Sequence, residues 1–241
     1  MENSLEYTAT RRQPVGKPLP QWRPCLRPPT TPMEGRFARL ERVEVRVHAR
    51  ELYDAYATDG DRLWTYMPYG PFDTFSAFET WLAAQCGDKD PICYVIRNLD
   101  EPMAPAVGLA AFMRIVPSLG LLEIGRLAFS PALRRTRVAT EAIYLMMRRV
   151  FDELGYRRFE WKCDSLNAAS RRAAERLGFR FEGIFRQATI VKGHNRDTAW
   201  HAVTDGDWPA CREGFETWLS PENFDASGRQ RVALKISHEP A

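Results

Sequence analysis

Residues 121–181 constrain this chain most, because they read as strand, basic turn, long helix, strand and short helix with little between them. Leu121-Leu122-Glu123-Ile124-Gly125-Arg126-Leu127-Ala128-Phe129 is apolar enough for a buried strand, and Ser130-Pro131 ends it. Arg134-Arg135-Thr136-Arg137-Val138-Ala139-Thr140 then leads directly into a helix. That helix carries Ile143, Met146, Met147, Val150, Phe151 and Leu154 as one continuous apolar stripe, and Gly155 closes it. Residues 158–163 alternate as a strand. A short helix follows over 168–177, with Asn167 as its N-cap and Gly178 as its stop. A strand feeding a helix through a basic turn is an anion site. The first helical N–H groups lack intrahelical partners, and the helix dipole favours negative charge there. The expected ligand therefore carries phosphate.

Around this unit the pattern is that of one mixed α/β domain over 34–220. A first strand is expected near 36–40, a helix near 49–57 and another near 74–84. Between the two helices, Trp64, Tyr66, Tyr69 and Phe72 stand in an aromatic loop punctuated by prolines and a glycine. Strands are expected at 92–97 and 106–115, and later at 179–183, 188–192 and 198–203, with a last helix at 208–219. Residues 1–33 hold seven of the seventeen prolines and no periodicity, so they read as an extended basic arm, mobile or folded against the domain. Residues 221–241 read as a loosely tethered C-terminal tail.

Charge and cysteine usage narrow the function classes. The net charge is +3, and the five basic and two acidic side chains of residues 1–30 account for all of it. The rest is neutral in sum, so a nucleic-acid-binding domain is not expected. No apolar run reaches membrane-spanning length and the N-terminus lacks a signal-peptide core, so no membrane partner is expected either. The five cysteines are odd in number and form no CxxC pair, and the four histidines show no metal-ligand spacing. Reduced thiols in the cytoplasm and no metal are the simplest expectation.

From about residue 35 to 219 the chain resembles the GNAT acyltransferases, and within them the RimJ/RimL-like N-acetyltransferases. The resemblance is carried by Glu123-Ile124-Gly125, by the turn from Arg134 to Ala139 with Thr140-Glu141-Ala142, and by Asn167-Ala168-Ala169-Ser170. Leu177-Gly178-Phe179, Arg196-Asp197-Thr198 and Trp208 add to it. It implies an α/β (α+β) fold with a mixed central sheet, flanked by helices, whose two central strands splay apart. It also implies acetyl-CoA as cosubstrate, its pantetheine arm held in that gap by strand backbone such as Leu127, Ala128 and Phe129. The acetyl group would pass directly to an amine, with no covalent enzyme intermediate. Three positions depart from the family pattern. Arg137 stands where the pyrophosphate loop usually has its central glycine. Ala174 holds the place of the superfamily's catalytic tyrosine, and Thr189 that of a glutamate some members use as base.

Attack by an amine on a thioester needs a carboxylate or other base, and Glu123 is the candidate because it lies in an otherwise apolar strand. The alternative is that it faces the sheet edge or pairs with an arginine. Ser170 sits where RimL-like members have a proposed acid, or else it hydrogen-bonds the helix start. Asn167 can cap the helix and contact the cosubstrate together. Arg134, Arg135 and Arg137, with Thr136 and Val138 to Thr140, are expected at the phosphates, unless the turn is a solvated basic one. Trp64, Tyr66 and Tyr69 either line the acceptor pocket or pack in the core. The partner expected is an amine of a small metabolite or a peptide N-terminus, and a homodimer is allowed. A catalytically weak acyl-CoA-binding or interaction protein is the competing reading.

Overall fold

The computed structural model describes residues 6–7, 14–86 and 90–237. Two short strands, β1 (Glu6–Tyr7) and β2 (Pro14–Val15), pair with each other antiparallel. The other strands form one eight-stranded sheet in the order β3-β4-β5-β6-β7-β8-β10-β9. They are β3 (Met33–Glu34), β4 (Ala38–Arg42), β5 (Ile92–Asn98), β6 (Ala106–Val116), β7 (Leu121–Phe129), β8 (Arg158–Asp164), β9 (Arg180–Val191) and β10 (His194–Thr204). Every neighbouring pair is antiparallel except β7 and β8. A parallel pair cannot be joined by a hairpin, so α3 (Arg137–Arg148) makes the crossover.

The sheet separates two apolar cores. Strand β5 shows how: Ile92, Tyr94 and Ile96 face one core, while Cys93 and Val95 face the other. The first core is covered by α3 and α5 (Trp208–Trp218), the second by α1 (Val45–Ala57) and α2 (Phe75–Gln85). The short helix α4 (Ala168–Arg176) follows β8.

The expected mixed sheet flanked by helices is observed, with β7 bounded as its apolar run suggests. Helix α1 starts earlier than expected, at Val45. Its cap is a ring: the Glu44 N–H donates to His48 Nδ1 at 2.9 Å, so none of the usual capping residues marks the start. Helix α3 passes into a π turn at Arg149–Glu153 before Gly155, which brings Val150 and Phe151 onto the buried side. The strands expected at 179–183 and 188–192 are one strand, β9. What reads as a break is a bulge, where the Gln187 N–H donates to the Asp197 carboxylate at 2.7 Å.

Described residues before and after the domain, 22–32 and 221–236, pack on it. In the arm, Trp22 Nε1 donates to the Ser118 carbonyl, and the hydroxyls of Tyr156 and Tyr94 donate to the carbonyls of Leu26 and Pro29. The C-terminal segment corrects the loosely tethered expectation. Phe224 is buried against Phe37 and Trp218, and Leu234 and Ile236 pack on the first core. Its apolar residues are too widely spaced to form a local pattern, and they find their partners only in the tertiary fold.

Glu141 on α3 ties the N-terminal strands to the crossover. Its buried carboxylate accepts from the N–H groups of Arg36, Phe37 and Ala38 at 2.9, 2.6 and 2.6 Å. A Cβ at Gly35 would lie 2.4 Å from that carboxyl group, so a larger residue there would push the carboxylate off the three amides. Glu141→Ala orphans three amides at once and is expected to cost about 3 kcal/mol, read as a lowered urea midpoint. An unchanged midpoint would show that this contact does not hold the strands.

Candidate active site

The parallel pairing of β7 with β8 is short. It runs from Leu121 opposite Arg158 to Ile124 opposite Trp161, and beyond that the two strands pair only with their other neighbours. At the same level β7 bulges against β6. Leu109 is opposite Ala128 and Ala111 opposite Gly125, so Ala110 faces both Arg126 and Leu127. Arg126 takes the left-handed conformation, φ 51°, that such a bulge needs. The last turn of β7 therefore leans away from β8, and the two strands leave unpaired backbone on either side of a gap. Leu127 lies in the bulge. The Ala128 carbonyl accepts from the buried Tyr56 hydroxyl at 3.0 Å, and the Phe129 carbonyl from Arg134 Nε at 2.9 Å.

The turn after β7 carries the N-terminus of α3. Thr136 is its cap: its Oγ accepts from the Ala139 N–H at 3.1 Å and donates to the Leu133 carbonyl at 2.7 Å. The amides of Arg137 and Val138 precede any intrahelical acceptor. Thr140 Oγ donates back to the Thr136 carbonyl and accepts from Arg176. The three turn arginines do not act as a group. Arg134 is paired fork to fork with Asp59, at 2.9 and 2.5 Å. Arg137 is paired in the same way with Asp100, at 2.8 Å twice, and lies over the rings of Phe37 and Phe224. Arg135 alone of the three is exposed, with φ 63°. The positive-φ residue of the turn is thus Arg135, and position 137 begins the helix with its side chain turned to Asp100. The helix amides and Arg135 are what this turn offers an anion.

Glu123 faces the α1–α2 side of the sheet, 5% exposed. Its Oε2 lies 2.9 Å from Lys162 Nζ and 3.2 Å from Arg114 Nε. Burial pushes its pKa up, Lys162 and Arg114 pull it back, and the net result stays above the ordinary carboxylate value. The alternative of an arginine partner is thus present together with burial, but the closer partner is a lysine. Lys162 and Glu160 were not legible as site residues. The available signal was the run Arg158, Glu160, Lys162, which puts three charges on one face of a strand whose other face is apolar.

Near the gap, Asn167 caps α4 by accepting from the Ser170 N–H at 3.1 Å, which leaves its amide NH2 available. Ser170 Oγ does not cap. It accepts from Trp161 Nε1 at 2.9 Å and lies within hydrogen-bond reach of the Cys163 thiol, to which it can donate. Ala174 is fully buried under α4, and Thr189 is exposed on β9. Of the aromatic candidates, Trp64 is buried among Tyr56, Tyr69, Phe72 and Trp81 as part of the second core. Tyr69 is half-buried beneath the Arg126 guanidinium, 5.9 Å from its ring centre. The Tyr66 hydroxyl donates to the Leu166 carbonyl at 3.2 Å, and Lys192 Nζ to the Trp64 carbonyl at 2.8 Å. These two contacts bridge the aromatic loop to the β8–α4 loop and to the β9–β10 hairpin. No cluster of His, Cys, Asp and Glu among the described residues could hold a metal ion. No helix among them is long and apolar enough to cross a membrane.

The sheet thus parts beside a capped crossover helix, with a buried carboxylate on one face. Comparison with known proteins gives the class. The family model described as an acetyltransferase (GNAT) domain matches residues 39–180. A GCN5-related N-acetyltransferase from Brucella melitensis is 44% identical, with a TM-score of 0.86 over 90% of this chain and 97% of its own. A probable GNAT-family acetyltransferase from Chromobacterium violaceum is 43% identical, with a TM-score of 0.76 over 82% and 98%. The Microcin C7 self immunity acetyltransferase MccE, solved with acetyl-CoA and AMP, shares the fold at 20% identity, with a TM-score of 0.63 over 73% and 98%. No functionally curated protein matches. The chain belongs to the GNAT acetyltransferase family.

The unequal fates of the turn arginines can be measured. Arg134→Met strips the partner from the Asp59 carboxylate, which is 8% exposed, and is expected to destabilise by about 3 kcal/mol. Arg135→Ala is expected to change stability by less than about 0.5 kcal/mol. Equal melting temperatures for the two variants would contradict the assignment.

Proposed function

We propose that the protein is an acetyl-CoA-dependent N-acetyltransferase that transfers the acetyl group directly to a primary amine of a small metabolite or a peptide N-terminus. The observation that carries this reading is the buried Glu123, on the face of β7 at the level where β7 and β8 part. Acetyl-CoA supplies an activated acyl group as a thioester. The residues present fit it: unpaired strand backbone beside Leu127, the leading amides of α3 with Arg135 for the phosphates, and the free Asn167 amide at the gap. Family membership and the acetyl-CoA bound in MccE point to the same donor.

Glu123 takes a proton from the acceptor's ammonium, which leaves a neutral nitrogen with a lone pair. Formation of the N–C bond and cleavage of the C–S bond leave a proton to lose on nitrogen and a negative charge on sulfur. Ser170, whose Oγ accepts from Trp161, gives its proton to that sulfur and takes up the one the nitrogen loses, and Glu123 returns its proton to solvent. The products are amide and thiol. The aromatic loop, bridged to the β8–α4 loop through Tyr66 and to the β9–β10 hairpin through Lys192, forms the side from which the acceptor approaches, and most of the rate comes from positioning. All five cysteines are free, which suits a reducing, cytoplasmic setting.

A second reading, an acyl-CoA-binding protein with little turnover, is favoured by the commitment of Arg134 and Arg137 to intrachain ion pairs. Isothermal titration with acetyl-CoA and thiol release over a panel of amines separate the two. Binding with release supports transfer, binding without release supports the second reading, and no binding excludes both. The rate should fall on the acid side as Glu123 is protonated, at a pH above the ordinary carboxylate range. Glu123→Gln should lower kcat/KM at neutral pH by about a hundredfold and abolish that limb while leaving acetyl-CoA affinity within about twofold. A full-rate Glu123→Gln enzyme would remove Glu123 from the mechanism.

A further inference from the structure

Lys162 is the buried charge that the proposed reaction does not use. Its side chain is 7% exposed, and its ammonium lies 2.9 Å from Glu123, 2.7 Å from Glu160 and 3.7 Å from the centre of the Trp200 ring. Glu123 and Glu160 are opposite each other in the parallel register, with side chains on one face. Lys162 follows Glu160 by two residues and is opposite Trp200 in the next pair. All four groups therefore share the α1–α2 face of the sheet at the mouth of the gap. Other groups complete the surroundings. Arg114 of β6 lies 3.2 Å from Glu123, and Arg158 joins Glu160 to the half-exposed Glu182 of β9 at 2.8 and 2.5 Å. A Cβ at Gly125 would lie 2.3 Å from the Met113 sulfur, so the glycine makes room for Met113, while the Glu123 carboxylate would be met only at ordinary contact distance.

Two carboxylates flank one ammonium. A lone buried lysine would lose its partner whenever its carboxylate took up a proton, at a large cost. Here Glu160 remains. We propose that Lys162 is a positioning residue for the transfer step: clamped by Glu160 and Trp200, it fixes the Glu123 carboxylate on the acceptor face and keeps a partner of its own when Glu123 takes the amine's proton. The proton moves from nitrogen to a Glu123 oxygen, and the Lys162–Glu160 pair is unchanged by the move. This assignment rests on the reading of Glu123 as the base.

The arrangement fixes the signs of two opposed shifts. Loss of the neighbouring cation disfavours the charged carboxylate, so Lys162→Met should raise the titration of Glu123 by roughly 1–3 units. Loss of the like charge favours it, so Glu160→Gln should lower the titration. Lys162→Arg, which keeps the charge, should restore it toward the starting value. The experiment is a carboxyl-carbon NMR titration of protein labelled at glutamate, with Glu123 assigned by the missing signal in Glu123→Gln. It needs neither acceptor nor acetyl-CoA. The acid limb of kcat/KM in the thiol-release assay should move with the NMR value in each variant. If Lys162→Met fails to fold, Glu160→Gln and Lys162→Arg still give the sign. Titration of Glu123 at one pH in all these proteins would overturn the proposal. Shifts seen by NMR but not in the acid limb would uphold the hold of Lys162 on Glu123 and remove Glu123 as the base.

Discussion

Four residue pairs decide most of this structure. In an otherwise antiparallel sheet, β7 and β8 run parallel, and only from Leu121 and Arg158 to Ile124 and Trp161. Because they run parallel, the chain must cross over through α3, which lays its apolar stripe on one face of the sheet. Because the pairing stops, the bulge at Arg126 and Leu127 can turn the end of β7 away and leave backbone unpaired. The start of α3 then lies at the end of the same strand that opens the gap. Register does the rest: it sets Glu123 beside Glu160, and so beside Lys162. A one-residue slip of β8 would turn Glu160 and Lys162 into the apolar core under α3, away from Glu123.

Charge in this protein is arranged by pairing across the fold. The turn between β7 and α3 looks like a basic patch, yet two of its three arginines close ion pairs that hold loops in place. Arg134 fastens the end of α1 through Asp59, and Arg137 fastens the β5–β6 turn through Asp100. Such pairs stabilise little when exposed, but Asp59 is buried, so its arginine is a structural requirement. Arg114, Glu123, Lys162, Glu160, Arg158 and Glu182 form a second chain of opposite charges along the sheet, exposed at both ends and buried at Glu123, Lys162 and Glu160.

Features that rest on short-range pattern were legible in the sequence. Strand β7, the apolar stripe of α3, the Asn167 cap and the α4 stop all follow from neighbours within a few residues, and the family resemblance supplied the parted strands. What escaped depends on partners far along the chain. Asp59 is 75 residues from Arg134 and Asp100 is 37 from Arg137, so nothing local separates those two from Arg135. The continuity of β9 depends on Asp197 in the next strand. Phe224 finds Phe37 nearly the whole length of the domain away. Lys162 escaped because alternation predicts which face a residue takes but not which neighbour it meets there.

The proline-rich arm shows a division of labour between donors and acceptors. Proline has no N–H, so a segment rich in it offers mainly carbonyls. The domain answers with side-chain donors: Tyr156 to Leu26, Tyr94 to Pro29, and the two terminal nitrogens of Arg149 to Thr31 and Pro32. Residues 22–32, held in this way, cover the α3 side of the sheet without becoming a strand themselves. The segment that looks least organised in the sequence is thus fastened to the domain chiefly through its carbonyls.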